Sequence, residues 1–93
     1  MITRTVVKSS LITSIGYDAA TQTCAIEFPR KGQPAGNGVV YEYSSFPPEE
    51  WAKFQTAESF GKWFIANIKG NAKYPYRKIE PAPVPQPTAK ENP

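Results

Sequence analysis

The hydrophobic period of this 93-residue chain changes near Pro47, and that change constrains the fold more than any other feature. Before Pro47, apolar and polar residues alternate in three short segments, residues 11–17, 24–28 and 39–43. A period of two is typical of β-strands that bury one face. After Pro47, apolar residues recur at the spacing of an amphipathic helix. The chain is therefore predicted to be an α+β domain, with its strands first and its helices after them.

Short connections join the three predicted strands. Residues 18–22 begin with Asp, which suits the first position of a hairpin turn. Residues 30–38 are rich in Gly and in other turn-forming residues, which predicts an irregular, mobile loop. The sheet is thus predicted to be a three-stranded antiparallel meander with one covered face. On that face lie Tyr41 and Tyr43, which are predicted to be structural and to hold the sheet to its helices. Glu27 and Glu42 are predicted to point outward into water.

Two helices are predicted to pack on the covered face, giving the order β-β-β-α-α. The first begins at residues 47–50, because proline is tolerated in a first turn and carboxylates favour the positive end of the helix dipole. The second spans residues 57–68, with Thr56 as its cap and Gly70 as its left-handed stop. Residues 74–79 are predicted to be extended along an edge. Residues 1–79 form the single domain, and the Pro-rich residues 80–93 form a disordered tail.

The residue types that most catalytic and metal sites need are scarce. The chain has no His and one Cys, which excludes ordinary nucleophile triads, nearly all zinc sites and any intrachain disulfide. Cys24 lies mid-strand on the inward face, where a buried thiol is expected. We predict no catalytic residues, no metal and no cofactor. A single thiol, with no signal-peptide core and no membrane-spanning apolar run, predicts a cytoplasmic protein without a membrane partner.

The carboxy-terminal third is basic and rich in aromatic residues. Residues 59–79 carry five Lys or Arg and no acidic residue, although the net charge of the chain is only +3. Single-stranded nucleic-acid sites combine these ingredients, because bases stack on aromatic rings while cations contact phosphates. The candidate nucleic-acid-binding residues are Lys62, Trp63, Lys69, Lys73, Tyr74, Tyr76, Arg77 and Lys78.

Within this set, Trp63 lies beside the apolar stripe of the second helix, which predicts partial exposure. Lys62 and Lys69 are seven residues apart and share one helical face. Lysines that serve only solubility are the alternative interpretation.

Motifs in a fixed order along the chain resemble those of the KTSC domain family. They are residues 7–10, 15–18, 26–28, the Tyr41-Glu42-Tyr43 hallmark, Pro47, and residues 57–64 with Ser59 and Gly61. The resemblance covers about residues 7–79. It implies a domain found at the carboxy terminus of some lysyl-tRNA synthetases and alone in bacteria and phages, for which RNA binding has been suggested. The loop at 30–38 and the Pro-rich tail depart from the family pattern.

Three functional hypotheses follow. The leading one is a non-catalytic module that binds RNA, or single-stranded nucleic acid generally, through the basic aromatic surface. The second is a protein-interaction adaptor that presents the loop at 30–38 and the segment 81–87 to a protein partner. The third is an enzyme with a carboxylate-only site, in which Asp18 and a Glu converge in a cleft.

Overall fold

The computed structural model describes residues 2–29 and 38–79, and within these ranges the chain forms five strands and two helices. The elements in chain order are β1 (Arg4–Val6), β2 (Ser14–Asp18), β3 (Thr23–Phe28), β4 (Val39–Tyr43), α1 (Pro48–Gln55), α2 (Phe60–Asn67) and β5 (Tyr76–Ile79). The strands form one antiparallel sheet in the order β1-β2-β3-β4-β5. In the sequence, both helices therefore come between β4 and β5, which are neighbouring strands in the sheet.

The predicted α+β class, antiparallel sheet and two helices are confirmed, but the predicted number of strands is wrong. Strand β1 has only three residues, too few to show an alternating pattern. The segment predicted to be extended along an edge forms β5, which pairs with β4 and places Tyr76 opposite Tyr43. The predicted loop at 30–38 falls mainly on residues 30–37, and these lie outside the described residues, as does the tail at 80–93.

Local signals account for most element boundaries. The Asp18 side chain accepts a hydrogen bond from the Ala20 amide (3.0 Å) in the β2–β3 hairpin, as the turn prediction requires. Pro48 opens α1, and Gly70 has a φ of +72°, the left-handed conformation predicted for a helix stop. The cap prediction for α2 is wrong. Ser59 caps this helix by accepting a hydrogen bond from the Lys62 amide (3.2 Å), whereas Thr56 ends α1.

The main core lies between the sheet and the two helices. Its buried residues are Ile12, Ile15, Cys24, Ile26, Tyr43, Phe46, Phe54, Phe64, Ile68 and Tyr74. Helix α2 approaches the segment before β2 so closely that a Cβ at Gly61 would lie 3.0 Å from the Leu11 Cβ. Cys24 is fully buried, as predicted, and burial raises the pKa of its thiol. Neither helix in the described part of the chain is long and apolar enough to cross a membrane.

A buried polar network occupies the opposite face of the sheet. The Arg4 guanidinium donates hydrogen bonds to Ser14 Oγ (2.7 Å) and Glu27 Oε1 (2.8 Å), and Ser14 Oγ donates to Glu27 Oε1 (2.9 Å). The Gly38 amide donates to Glu27 Oε2 (3.0 Å). The prediction that Glu27 faces water is therefore wrong. Alternation assigned it to the correct face, but that face is also buried at this position.

Candidate functional site

A groove of about 550 Å³ separates α2 from the β4–β5 edge of the sheet. Phe64 of α2 packs on Phe28 of β3 and Tyr43 of β4, whereas Tyr76 of β5 stays largely in solvent. Aromatic and aliphatic side chains form most of the surface of the groove. The lining residues are Leu11, Phe28, Tyr41, Tyr43, Phe64, Ile65, Lys69, Gly70 and Tyr76. No carboxylate among the described residues lines it.

Strand pairing and alternation bring three tyrosines to this groove. Tyr41 and Tyr43 are two residues apart in β4, so they share a face. Tyr76 is paired with Tyr43 across the β4–β5 ladder and therefore lies on the same face. The Tyr76 ring lies 5.3 Å from the Tyr41 ring and 5.5 Å from the Tyr43 ring. The three rings form a continuous aromatic surface on the sheet side of the groove.

The exposure of these side chains differs widely. Tyr43 is only 6% exposed and packs edge-on against Phe64 of α2, with ring centroids 5.9 Å apart. Tyr41 is half-buried, whereas Tyr76 is 65% exposed. On the helix side, Ile65 is 56% exposed. Tyr76 and Ile65 are thus large side chains that line the same groove with much of their surface in solvent.

Lysines supply the charge around the groove. Lys69 is an exposed lining residue at the end of α2. Lys62 lies three residues before Ile65 in α2, so these two side chains are neighbours on the surface of the helix. Lys78 is opposite Tyr41 in the ladder and shares its face of the sheet. The groove therefore joins aromatic walls to a positively charged rim.

A second depression of about 460 Å³ adjoins the groove. Gly70 and Tyr76 line both depressions, and Ile68, Asn71, Ala72, Tyr74 and Pro75 complete the second. A Cβ at Gly70 would have no neighbour within 4 Å, so the surface is open at this junction. The two depressions form one track, with the Tyr76 side chain between them.

The remaining residues of the predicted nucleic-acid-binding set lie away from the groove. The Trp63 ring stacks on Phe54 of α1 (5.1 Å), on the side of α2 turned away from Ile65. Tyr74 is 8% exposed and packs on Phe46 (4.9 Å), so little of its surface can meet a ligand. Lys73 is exposed in the turn before β5.

Arg77 points to the opposite face of the sheet, where it pairs with Glu42 (3.1 Å). Of the eight candidates, the structure therefore brings Lys69, Tyr76 and Lys78 to the groove face and places Lys62 on α2, three residues before Ile65. Ile65 was not among the predicted site residues, and the available signal in the sequence is its position one residue after the core residue Phe64.

Several carboxylates of the described residues are engaged in local structure. Asp18 holds the β2–β3 turn, Glu27 is buried with Arg4, and Glu50 pairs with Lys53 (3.0 Å). No three Asp, Glu or Cys side chains within the described ranges are placed to share a metal ion.

Comparison with known proteins gives consistent results. A family model described as the KTSC domain matches residues 8–74. A protein of Stutzerimonas stutzeri (strain A1501), described only as an uncharacterized protein, is 33% identical over 77 residues, covering 83% of this chain and 97% of that protein. The crystal structure of a KTSC domain protein from Yersinia pestis has a TM-score of 0.70 and 35% identity, covering 85% of this chain and 99% of that chain.

Proposed function

The chain belongs to the KTSC domain family, and from that premise we propose that it is a non-catalytic module that binds single-stranded nucleic acid, RNA included, in the groove between α2 and β5. The observation that carries this proposal is the combination of an exposed Tyr76 with Lys69 in a groove that no described carboxylate lines. The proposal places the protein in the cytoplasm, where a lone thiol such as Cys24 stays reduced.

The aromatic walls fit an unpaired base. Bases stack on tyrosine rings irrespective of sequence, since every base has a π-face, and each stack contributes about 1–3 kcal/mol. Tyr76 offers such a face because 65% of its surface is in solvent. Ile65 across the groove can close over the other side of the base. A paired base inside a duplex exposes no π-face, so the groove favours single strands.

The rim charges fit the phosphates that connect the bases. Lys62 lies in the first turn of α2, and Lys69 lies two residues after the helix ends. Both are exposed. A strand whose bases enter the groove would run along α2 with its phosphates near these two side chains. Arg77 does not belong to this surface, because it lies on the other face of the sheet with Glu42.

The adjoining depression extends the proposed site to a second nucleotide. Tyr76 lines both depressions, so consecutive bases could lie on either side of its ring. The Asn71 side chain in the second depression is already engaged, because it donates to the Asn67 carbonyl and accepts from the Lys73 amide. This depression therefore offers shape and stacking more than base-specific contacts, and weak sequence preference is expected.

Titration of the full chain with fluorescently labelled single-stranded RNA and DNA oligonucleotides tests the proposal. We expect a Kd of roughly 1–100 μM at low salt, in the range of non-specific nucleic-acid binding. With two phosphates near Lys62 and Lys69, log K should fall against log salt with a slope of about −1.4. Duplexes of the same length should bind more weakly. A folded sample that shows no salt-sensitive binding at about 100 μM would overturn the proposal.

A further inference from the structure

The hydroxyl of Tyr43 has no hydrogen-bond partner in the described part of the protein, although the residue is 94% buried. Buried tyrosines usually find a partner for this group. The same domain supplies one for Tyr17, whose hydroxyl donates to the Phe46 carbonyl. Tyr43 instead makes ring contacts, with Phe64 and with Tyr76. The fold therefore fixes Tyr43 through contacts of its ring, and its hydroxyl forms no hydrogen bond within the described residues.

The unused hydroxyl opens to the groove. Every side-chain nitrogen or oxygen atom of the described residues that is itself shielded from solvent has a hydrogen-bond partner. The Tyr43 oxygen has none, so this atom must keep some contact with solvent although most of the residue is buried. Tyr43 lines the groove, so the small part of its surface that is exposed faces the groove. Burial, and after it the neighbouring Tyr76 and Tyr41, raise the pKa of this hydroxyl. It remains a neutral group, able both to donate and to accept, at any physiological pH.

We propose that the Tyr43 hydroxyl forms a hydrogen bond with the edge of a nucleobase that enters the groove and lies against Tyr76. This inference rests on the proposed function and names the group that contacts the base within the same site. Every base carries acceptors and donors on its edge, and Tyr43 lies deeper than Tyr76 on the same face. A base stacked on the exposed ring therefore directs its edge toward the buried hydroxyl.

This arrangement assigns separate parts of a nucleotide to separate parts of the groove. The apolar faces of the base contact Tyr76 and Ile65, its edge reaches Tyr43, and the phosphate stays outside near Lys69. An abasic strand retains the phosphate contact and loses the other two. Base and backbone contributions can therefore be separated by changing the ligand as well as the protein.

The test is a double-mutant cycle between Tyr43→Phe and an abasic oligonucleotide. Phe retains the ring and removes only the unpartnered hydroxyl, so we expect the thermal midpoint of Tyr43→Phe to match that of the wild type. An intact single strand should bind Tyr43→Phe about fivefold more weakly, the equivalent of one neutral hydrogen bond. An abasic strand of equal length should bind both proteins equally. Tyr17→Phe, which loses a bonded hydroxyl, is the matched control and should lower the midpoint without this ligand dependence.

The outcomes distinguish this inference from the function on which it rests. If the wild type binds no single strand, both are wrong. If the wild type binds and Tyr76→Ala weakens binding, but Tyr43→Phe binds intact strands as tightly as the wild type, only the role of Tyr43 is wrong. Equal weakening of intact and abasic strands by Tyr43→Phe would also overturn that role, because a base contact cannot produce it.

Discussion

Tyr43 and Tyr76 face each other across the β4–β5 ladder with ring centroids 5.5 Å apart, and one is buried while the other is largely in solvent. The buried ring belongs to the core through its contact with Phe64. The exposed ring belongs to the strand that follows both helices. The groove is therefore complete only when β5 has paired with β4, and the site depends on the last element of the domain.

The first prediction concerns the exposed ring. Tyr76→Ala should weaken single-strand binding by at least about fivefold, because one base–aromatic stack contributes about 1–3 kcal/mol. Its effect on stability should be small, since most of the side chain is in solvent. Fluorescence anisotropy measures the first quantity and thermal unfolding the second. Arg77→Ala is the control, because its side chain points to the opposite face from the same strand. A larger loss of binding in Arg77→Ala than in Tyr76→Ala would contradict the assigned face.

The second prediction concerns charge. Lys69→Ala should reduce the salt slope of binding by about 0.7, the value of one single-strand phosphate contact. Lys53→Ala removes the same charge from α1, where Lys53 pairs with Glu50, and should leave the slope near that of the wild type. Binding constants measured at four or more salt concentrations give the slopes. Identical slopes for Lys69→Ala and the wild type would show that no phosphate contacts Lys69.

The third prediction concerns the buried ion pair. Glu27→Gln should lower the free energy of unfolding by about 3–5 kcal/mol, because it removes the carboxylate charge 2.8 Å from the buried Arg4 guanidinium. Glu42→Gln disrupts a pair in which the Arg77 side chain is mostly exposed, and should cost at most about 1 kcal/mol. Urea unfolding of the two variants gives the comparison. A similar decrease in the free energy of unfolding for both variants would show that the buried Arg4–Glu27 pair contributes no more to stability than the exposed pair.

The fourth prediction concerns alkaline pH. Burial raises the pKa of the Cys24 thiol above its ordinary value of 9.0 and that of Tyr43 above 10.0. Above these ordinary values the unfolded chain releases protons that the folded chain keeps, so stability must fall as pH rises. The fall should approach about 1.4 kcal/mol per pH unit for each group. Urea unfolding at several pH values between 7 and 11 measures it, and Cys24→Ala should show a shallower fall above pH 9. A pH-independent unfolding free energy in this range would contradict the predicted burial effect.

Alternation of apolar residues was enough to predict β2, β3 and β4, because each has one face in the main core. It could not reveal β1, which is three residues long and carries the buried Arg4. Alternation also assigned Glu27 to the correct face while giving no information about what covers that face. A carboxylate in a strand is expected in water unless its partner, here 23 residues away, is known.

No groove was predicted from the sequence, and only some of the candidate binding residues lie beside it. The basic and aromatic residues of the last third were visible in the sequence, but their distribution over different surfaces was not. Trp63 is beside the apolar stripe of α2, as predicted, yet α1 packs on that side and its Phe54 stacks on the Trp63 ring. Conversely, Tyr76 reaches Tyr43 only through strand pairing, which no local pattern specifies.

The Arg4–Ser14–Glu27 network takes one residue from each of the first three strands, and this has a consequence for how those strands can align. A slip of β1 by one residue would turn the Arg4 side chain toward the helices and separate its charge from the buried Glu27 carboxylate. Apolar contacts alone would penalise such a slip weakly, because β1 is so short. The ion pair therefore fixes the register of β1 against β2, because the registers one residue away on either side would break it.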